Sequence, residues 1–101
     1  MNILLIPKEL REQIPPLYAT EEETNPTVYV KLFIDGWSWF ITEMSMDNDT
    51  AFGYVVSPFC DGELGYFSLN EIVELKGSLG LGVERDLYFK PTPLSEIKKA
   101  S

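Results

Sequence analysis

Val28-Tyr29-Val30-Lys31-Leu32-Phe33-Ile34-Asp35-Gly36-Trp37-Ser38-Trp39-Phe40-Ile41-Thr42-Glu43-Met44 reads as a β-hairpin. Asp35-Gly36 between two runs rich in β-branched and aromatic residues is the signature of a two-residue type I′ turn. A loop of those two residues pairs Ile34 with Trp37, Leu32 with Trp39, Val30 with Ile41 and Val28 with Glu43. Side chains alternate across a strand. One face therefore carries Val28, Val30, Leu32, Ile34, Trp37, Trp39 and Ile41, with the Glu43 carboxylate at its far end. The opposite face carries Tyr29, Lys31, Phe33, Ser38, Phe40, Thr42 and Met44.

Working outward, Ala51 to Ser57 is a third strand, with Phe52, Tyr54 and Val56 on one side. A loop over Pro58 to Gly62 leads to a short fourth strand, Glu63 to Phe67, and Arg85 to Lys90 is a fifth. Helices are expected near 7–14, 69–76 and 93–99. Pro7 is tolerated in a first turn, Ser68 and Glu71 have capping-box spacing, and Thr92-Pro93 opens the terminal segment. The predicted fold class is α+β: an antiparallel sheet of about four or five strands built on the 28–44 hairpin, in a single domain spanning 1–101.

Eight Lys plus Arg against sixteen Asp plus Glu leave 101 residues with a net charge of −8. A polyanion has no electrostatic attraction to duplex DNA or to an anionic membrane, so neither is expected as a partner. The absence of histidine removes Ser-His-Asp and Cys-His catalysis and every His-containing zinc site. The single Cys60 cannot form an internal disulfide, which suits a reducing cytoplasm. Met1 to Pro7 is too short and uncharged for a secretory signal, and no apolar run is long enough for a membrane span.

Motifs that could carry chemistry are incomplete. Gly80-Leu81-Gly82 follows a helix and completes no phosphate-binding loop, and Asp47-Asn48-Asp49 lacks the later ligands of a calcium loop because Ala51 and Pro58 stand there. No catalytic, metal or cofactor site is assigned. Glu43 or Glu84 is expected to pair with Arg85, one of only two arginines. Candidate partner-binding residues are the aromatics Tyr29, Phe33 and Phe40 on the second hairpin face. Acidic candidates are Glu21, Glu22, Glu23, Asp47, Asp49, Asp61 and Glu63, with Glu71 and Glu74 extending the pattern.

The chain resembles the family of domain of unknown function 2958. The resemblance is carried by Pro15-Pro16-Leu17-Tyr18, Val28 to Phe33, Trp37 to Glu43 and Phe52 to Val56, then by Glu63 to Glu71, Gly80 to Phe89 and Pro93 to Ile97. Gly82 stands where the family pattern tends to carry proline, which should loosen that turn without moving a functional group. The resemblance implies a short bacterial protein associated with plasmids and conjugative elements, and supplies no catalytic residues.

The functional expectation is a non-catalytic module that binds an unknown protein partner, or an accessory subunit, acting as a monomer or small homo-oligomer. One alternative is an acidic inhibitor of a host defence nuclease or restriction system that imitates DNA phosphates. A second is a carboxylate-dependent or metal-dependent enzyme, which would need Glu43, Glu63 and Asp86 to converge.

Overall fold

The computed structural model describes residues 6–47, 49–77 and 80–100. Expectations touching Met1 to Leu5, Asn48, Ser78 and Leu79 lie outside these residues. The described chain is α+β, in the order α1 (Lys8–Arg11), β1 (Thr27–Val28), β2 (Val30–Ile34), β3 (Trp37–Met44), β4 (Thr50–Ser57) and β5 (Cys60–Ser68), then α2 (Leu69–Ile72), β6 (Glu84–Arg85), β7 (Thr92–Pro93) and α3 (Leu94–Ala100). Five strands form one antiparallel sheet in the order β5-β4-β3-β2-β6, and β1 pairs with β7 in a separate two-stranded sheet.

The hairpin forms as its sequence requires. Asp35 and Gly36 both have positive φ, 44° and 86°, the backbone of a type I′ turn. Ile34 pairs with Trp37, Leu32 with Trp39 and Val30 with Ile41. The expected fourth pair does not form: Val28 faces Thr92 of β7 instead of Glu43. Tyr29 interrupts the strand between β1 and β2, and the alternation changes phase there. Val28 consequently packs with Phe40, Tyr54, Leu94 and Ile97, while Val30 and Leu32 pack with Trp39, Ile41 and α2.

A second phase change falls inside β3. Ile41 pairs with Gly53 but Glu43 pairs with Phe52, so Thr42 is an extra residue, a β-bulge. The bulge turns Glu43 away from the Ile41 face and brings Met44 onto it with Ala51. Gly53 is required opposite the bulge, because a Cβ there would fall 1.9 Å from the Phe40 carbonyl oxygen. Both phase changes fall at residues that suit a strand, Tyr29 and Thr42, which is why simple alternation does not reveal them.

Each face of the sheet has its own core. The first gathers Val30, Leu32, Trp39, Ile41, Met44 and Ala51 under Leu69 and Ile72 of α2, with Ile6 and Ile14 closing it. The second sets Leu94 and Ile97 of α3 against Val28, Phe40 and Tyr54. The backbone N–H groups that open α3 are held from far away in sequence: Leu94 donates to the Pro26 carbonyl (2.9 Å) and Ser95 to the Asn25 side-chain oxygen (2.8 Å).

Four elements have boundaries that differ from expectation. The loop expected over 58–62 is only Pro58-Phe59, and β5 begins at Cys60. The expected fifth strand is two residues, Glu84–Arg85, because Asp86 starts a turn by accepting the Tyr88 N–H on its carboxylate (2.9 Å). The helices near 7–14 and 69–76 are single turns with looser continuations. Ser68 caps α2 through the Glu71 N–H (3.3 Å), and Asp49 completes that cap by accepting from the Ser68 hydroxyl and the Asn70 N–H (both 2.9 Å).

Candidate functional site

Glu43 is the most deeply placed carboxylate, 3% exposed. Its Oε1 accepts the Tyr18 N–H and its Oε2 the Thr20 N–H, each at 2.8 Å, and the Thr20 hydroxyl also donates to Oε2. Tyr18 adopts φ 72°, a left-handed conformation that a non-glycine residue takes at a cost. The carboxylate thus staples the 18–20 turn, left-handed residue included, onto the sheet. Beside it lies a pocket of about 270 Å³ lined by Tyr18, Glu21, Glu23, Phe52, Tyr66 and Lys98, among others. Loss of solvent pushes the Tyr66 phenol above its ordinary value, and the adjacent Tyr18 and the Glu43 and Glu21 charges push the same way.

The register shows that the loop, and not Arg85, holds the Glu43 carboxylate. Arg85 pairs with Leu32, which pairs with Trp39. Glu43 lies four residues further along β3, roughly 13 Å at the usual strand rise. Glu84 and Arg85 line a separate shallow pocket with Lys31, Phe33, Asp86 and Tyr88. Glu63 is exposed on β5, so Glu43, Asp86 and Glu63 occupy three different places. Among the described residues, no three Cys, Asp or Glu side chains are grouped to hold a metal ion.

The expected aromatic patch is divided. Phe40 is buried against Phe89, ring centroids 6.3 Å apart, beneath α3. Tyr29 packs against the first core because of the phase change beside it. Phe33 is half-buried, with the Lys31 ammonium 5.9 Å from its ring centroid. Of the acidic candidates, Glu21, Glu22, Glu23, Asp61, Glu63, Glu71 and Glu74 are exposed. Asp47 is also exposed, and its carboxyl is held below the ordinary carboxylate range by the Ser45 hydroxyl and then the Asp49 N–H. Asp49 is committed to the α2 cap.

A different surface concentrates exposed apolar side chains. The Asp35-Gly36 and Pro58-Phe59 turns meet at one end of the sheet, where a Cβ on Gly36 would lie 3.3 Å from Pro58 Cγ. The chain leaving α2 passes the same end, with Gly77 so near the Asp35 carboxylate that a Cβ would come within 2.9 Å of it. Between them opens a groove of about 490 Å³ lined by Ile34, Asp35, Trp37, Trp39, Pro58, Phe59, Leu75, Lys76 and Gly77. Trp37 stacks on Trp39 with centroids 5.8 Å apart and planes 19° from parallel. Trp37 and Leu75 are partly open to solvent, and Phe59 is 89% exposed. Glu63 sits across Val55 from Trp39 on the same face, and Asp61 and Glu74 flank Phe59 and Leu75 in the chain.

Sequence reasoning missed this groove by assigning Trp37 to the core and Phe59 to an ordinary loop. Trp37 is at the turn end, where the strand pair outruns the helices that cover it. The available signal was Phe59 itself, a large apolar residue in a two-residue turn.

The fold and surface define a small antiparallel α+β protein with a tryptophan-floored groove at one end and a stapled acidic turn elsewhere. Residues 5–101 match the family described as Protein of unknown function (DUF2958), and the chain belongs to that family. No curated protein and no solved structure matches it. No helix among the described residues is long and apolar enough to cross a membrane.

Proposed function

We propose that the chain is a non-catalytic protein-binding module whose groove takes an apolar segment of a partner flanked by basic residues. The observation that carries this reading is the stacked Trp37–Trp39 pair walled by the exposed Phe59 and Leu75. Aromatic side chains in a concave site are the usual energetic centre of a protein interface. Burying Phe59 and Leu75 is worth about 1.5–3 kcal/mol each before the costs of association. Asp35 and Lys76 are the charged residues that line the groove, and the net charge of −8 on the chain as a whole favours a cationic rim on the partner.

The test is affinity purification from cells that natively express the chain, comparing wild type with Phe59→Asp, Leu75→Asp and the distant control Tyr88→Asp. A partner recovered with wild type and Tyr88→Asp, and lost with both groove variants, supports the reading. Retention by the groove variants overturns it. Loss only on neutralising Glu21, Glu22 and Glu23 would favour imitation of DNA phosphates instead.

A further inference from the structure

The geometry points to the outer edge of β5 as a second binding surface, one that accepts an extended basic-apolar segment of another protein as a sixth strand. β5 ends the sheet and is nine residues long, against two for β6 at the other edge. Its inner edge pairs with β4 at Cys60 and continuously from Glu63 to Ser68, and no other described strand pairs with its outer edge. Such an edge presents a row of backbone N–H and C=O groups ready for another strand. Proteins normally blunt it with lysine, proline, a bulge or a covering element. β5 contains no Lys, Arg or Pro. Its one register shift lies near the turn, between Val55 and Ser57 of β4, and Glu63 to Ser68 run in unbroken register. α2 leaves the strand by placing Leu69 and Ile72 in the core on one face, so it does not wrap the edge. A Cβ at Gly65 would meet nothing within 4 Å, so the face of the strand beside Glu63 has room for an incoming strand's side chain.

The side chains specify the occupant. Leu64 and Tyr66 share one face and are 48% and 54% exposed, with Tyr66 held by Phe52 at a ring distance of 4.7 Å. Glu63 and Gly65 lie on the other face. An incoming strand therefore places apolar side chains beside Leu64 and Tyr66, and a Lys or Arg beside Glu63. Main-chain pairing supplies the affinity and the alternating pockets the selectivity. A second copy of this chain is the poorer occupant, because each brings Asp61, Glu63 and a net charge of −8 to the seam.

The test uses the intact chain and three capped hexapeptides that alternate isoleucine and threonine. One carries a lysine at a threonine position, its twin carries glutamate there, and the third is the lysine peptide N-methylated at every residue, so that neither of its edges can donate. Amide exchange and backbone chemical shifts are read residue by residue. The expected result is at least tenfold slower exchange of alternate amides within 63–67 with the lysine peptide, weaker protection with the glutamate twin and none with the methylated one. Glu63→Lys, an exposed substitution, should reverse the preference. The proposal fails if no peptide protects 63–67, if the methylated peptide protects them equally, or if they become protected with protein concentration alone. Shifts confined to the Trp37 and Trp39 indoles would place the peptide in the groove and also refute it. The groove reading is separable, since Phe59→Asp should leave β5 protection unchanged.

Discussion

Replacing Glu43 with alanine removes three hydrogen bonds at a site 3% exposed. The two N–H donors then lose their partner, and an unpartnered buried donor costs about 1–3 kcal/mol. Tyr18 is exposed, so water can reach its N–H and that loss sits near the low end; Thr20 is half-buried and loses more. Relief from burying a charge offsets part of the sum. The expected destabilisation is about 3 kcal/mol, or on the order of 15 °C in melting temperature for a chain of this size. Glu43→Gln keeps the shape and at least one acceptor but sets its amide group against an N–H donor, so about 1–2 kcal/mol is expected. Urea unfolding followed by tryptophan fluorescence gives both values, with amide exchange at Tyr18 and Thr20 as a local readout. Both amides should lose protection in Glu43→Ala. A stability change within about 0.5 kcal/mol, the range of an ordinary surface substitution, would refute the staple, as would unchanged protection.

Four further outcomes rest on other contacts. Gly53→Ala should destabilise strongly, by about 3 kcal/mol or more, because its Cβ would meet the Phe40 carbonyl oxygen at 1.9 Å and only backbone movement relieves the clash; thermal unfolding measures it. Asn25→Ala should cost about 1 kcal/mol by uncapping the Ser95 N–H, and faster amide exchange at Ser95 would show it. In alkaline titration by tyrosine absorbance, Tyr66 should ionise above the ordinary value of 10.0, and Tyr66→Phe should remove that step. The sign follows from linkage: the raised folded value contributes stability that is fully present below 10 and lost as pH rises through it. Asp47 is the converse, its stabilisation being present above about 3.8 and lost as pH falls through its lowered folded value.

The hairpin was legible because Asp35-Gly36 leaves few backbone choices, and its register follows from the turn as far as Ile41. What escaped were two places where one residue changes the phase. Tyr29 and Thr42 are both good strand residues, so nothing in local composition marks a break or a bulge. Tertiary pairing decides them: Val28 is drawn to β7, sixty-odd positions away, and Gly53 lets the bulged strand approach. The importance of Glu43 was visible as a lone carboxylate in an apolar run, but its partners were not. Backbone donors at Tyr18 and Thr20 have no side-chain signature. The groove was hidden for a related reason, since alternation assigns Trp37 to a face without saying where along the strand its cover ends.

Site-specific photo-crosslinking from position 59 tests the central claim most directly. A photoreactive phenylalanine analogue replaces Phe59, an 89% exposed side chain, with the same analogue at Tyr88 as the control. Irradiation of cells that natively express the chain should give one dominant protein adduct from position 59 and not from 88, and Leu75→Asp should abolish it. The crosslinked segment should contain apolar residues flanked by Lys or Arg. No adduct from position 59, or the same adduct from both positions, would contradict the groove as the binding site.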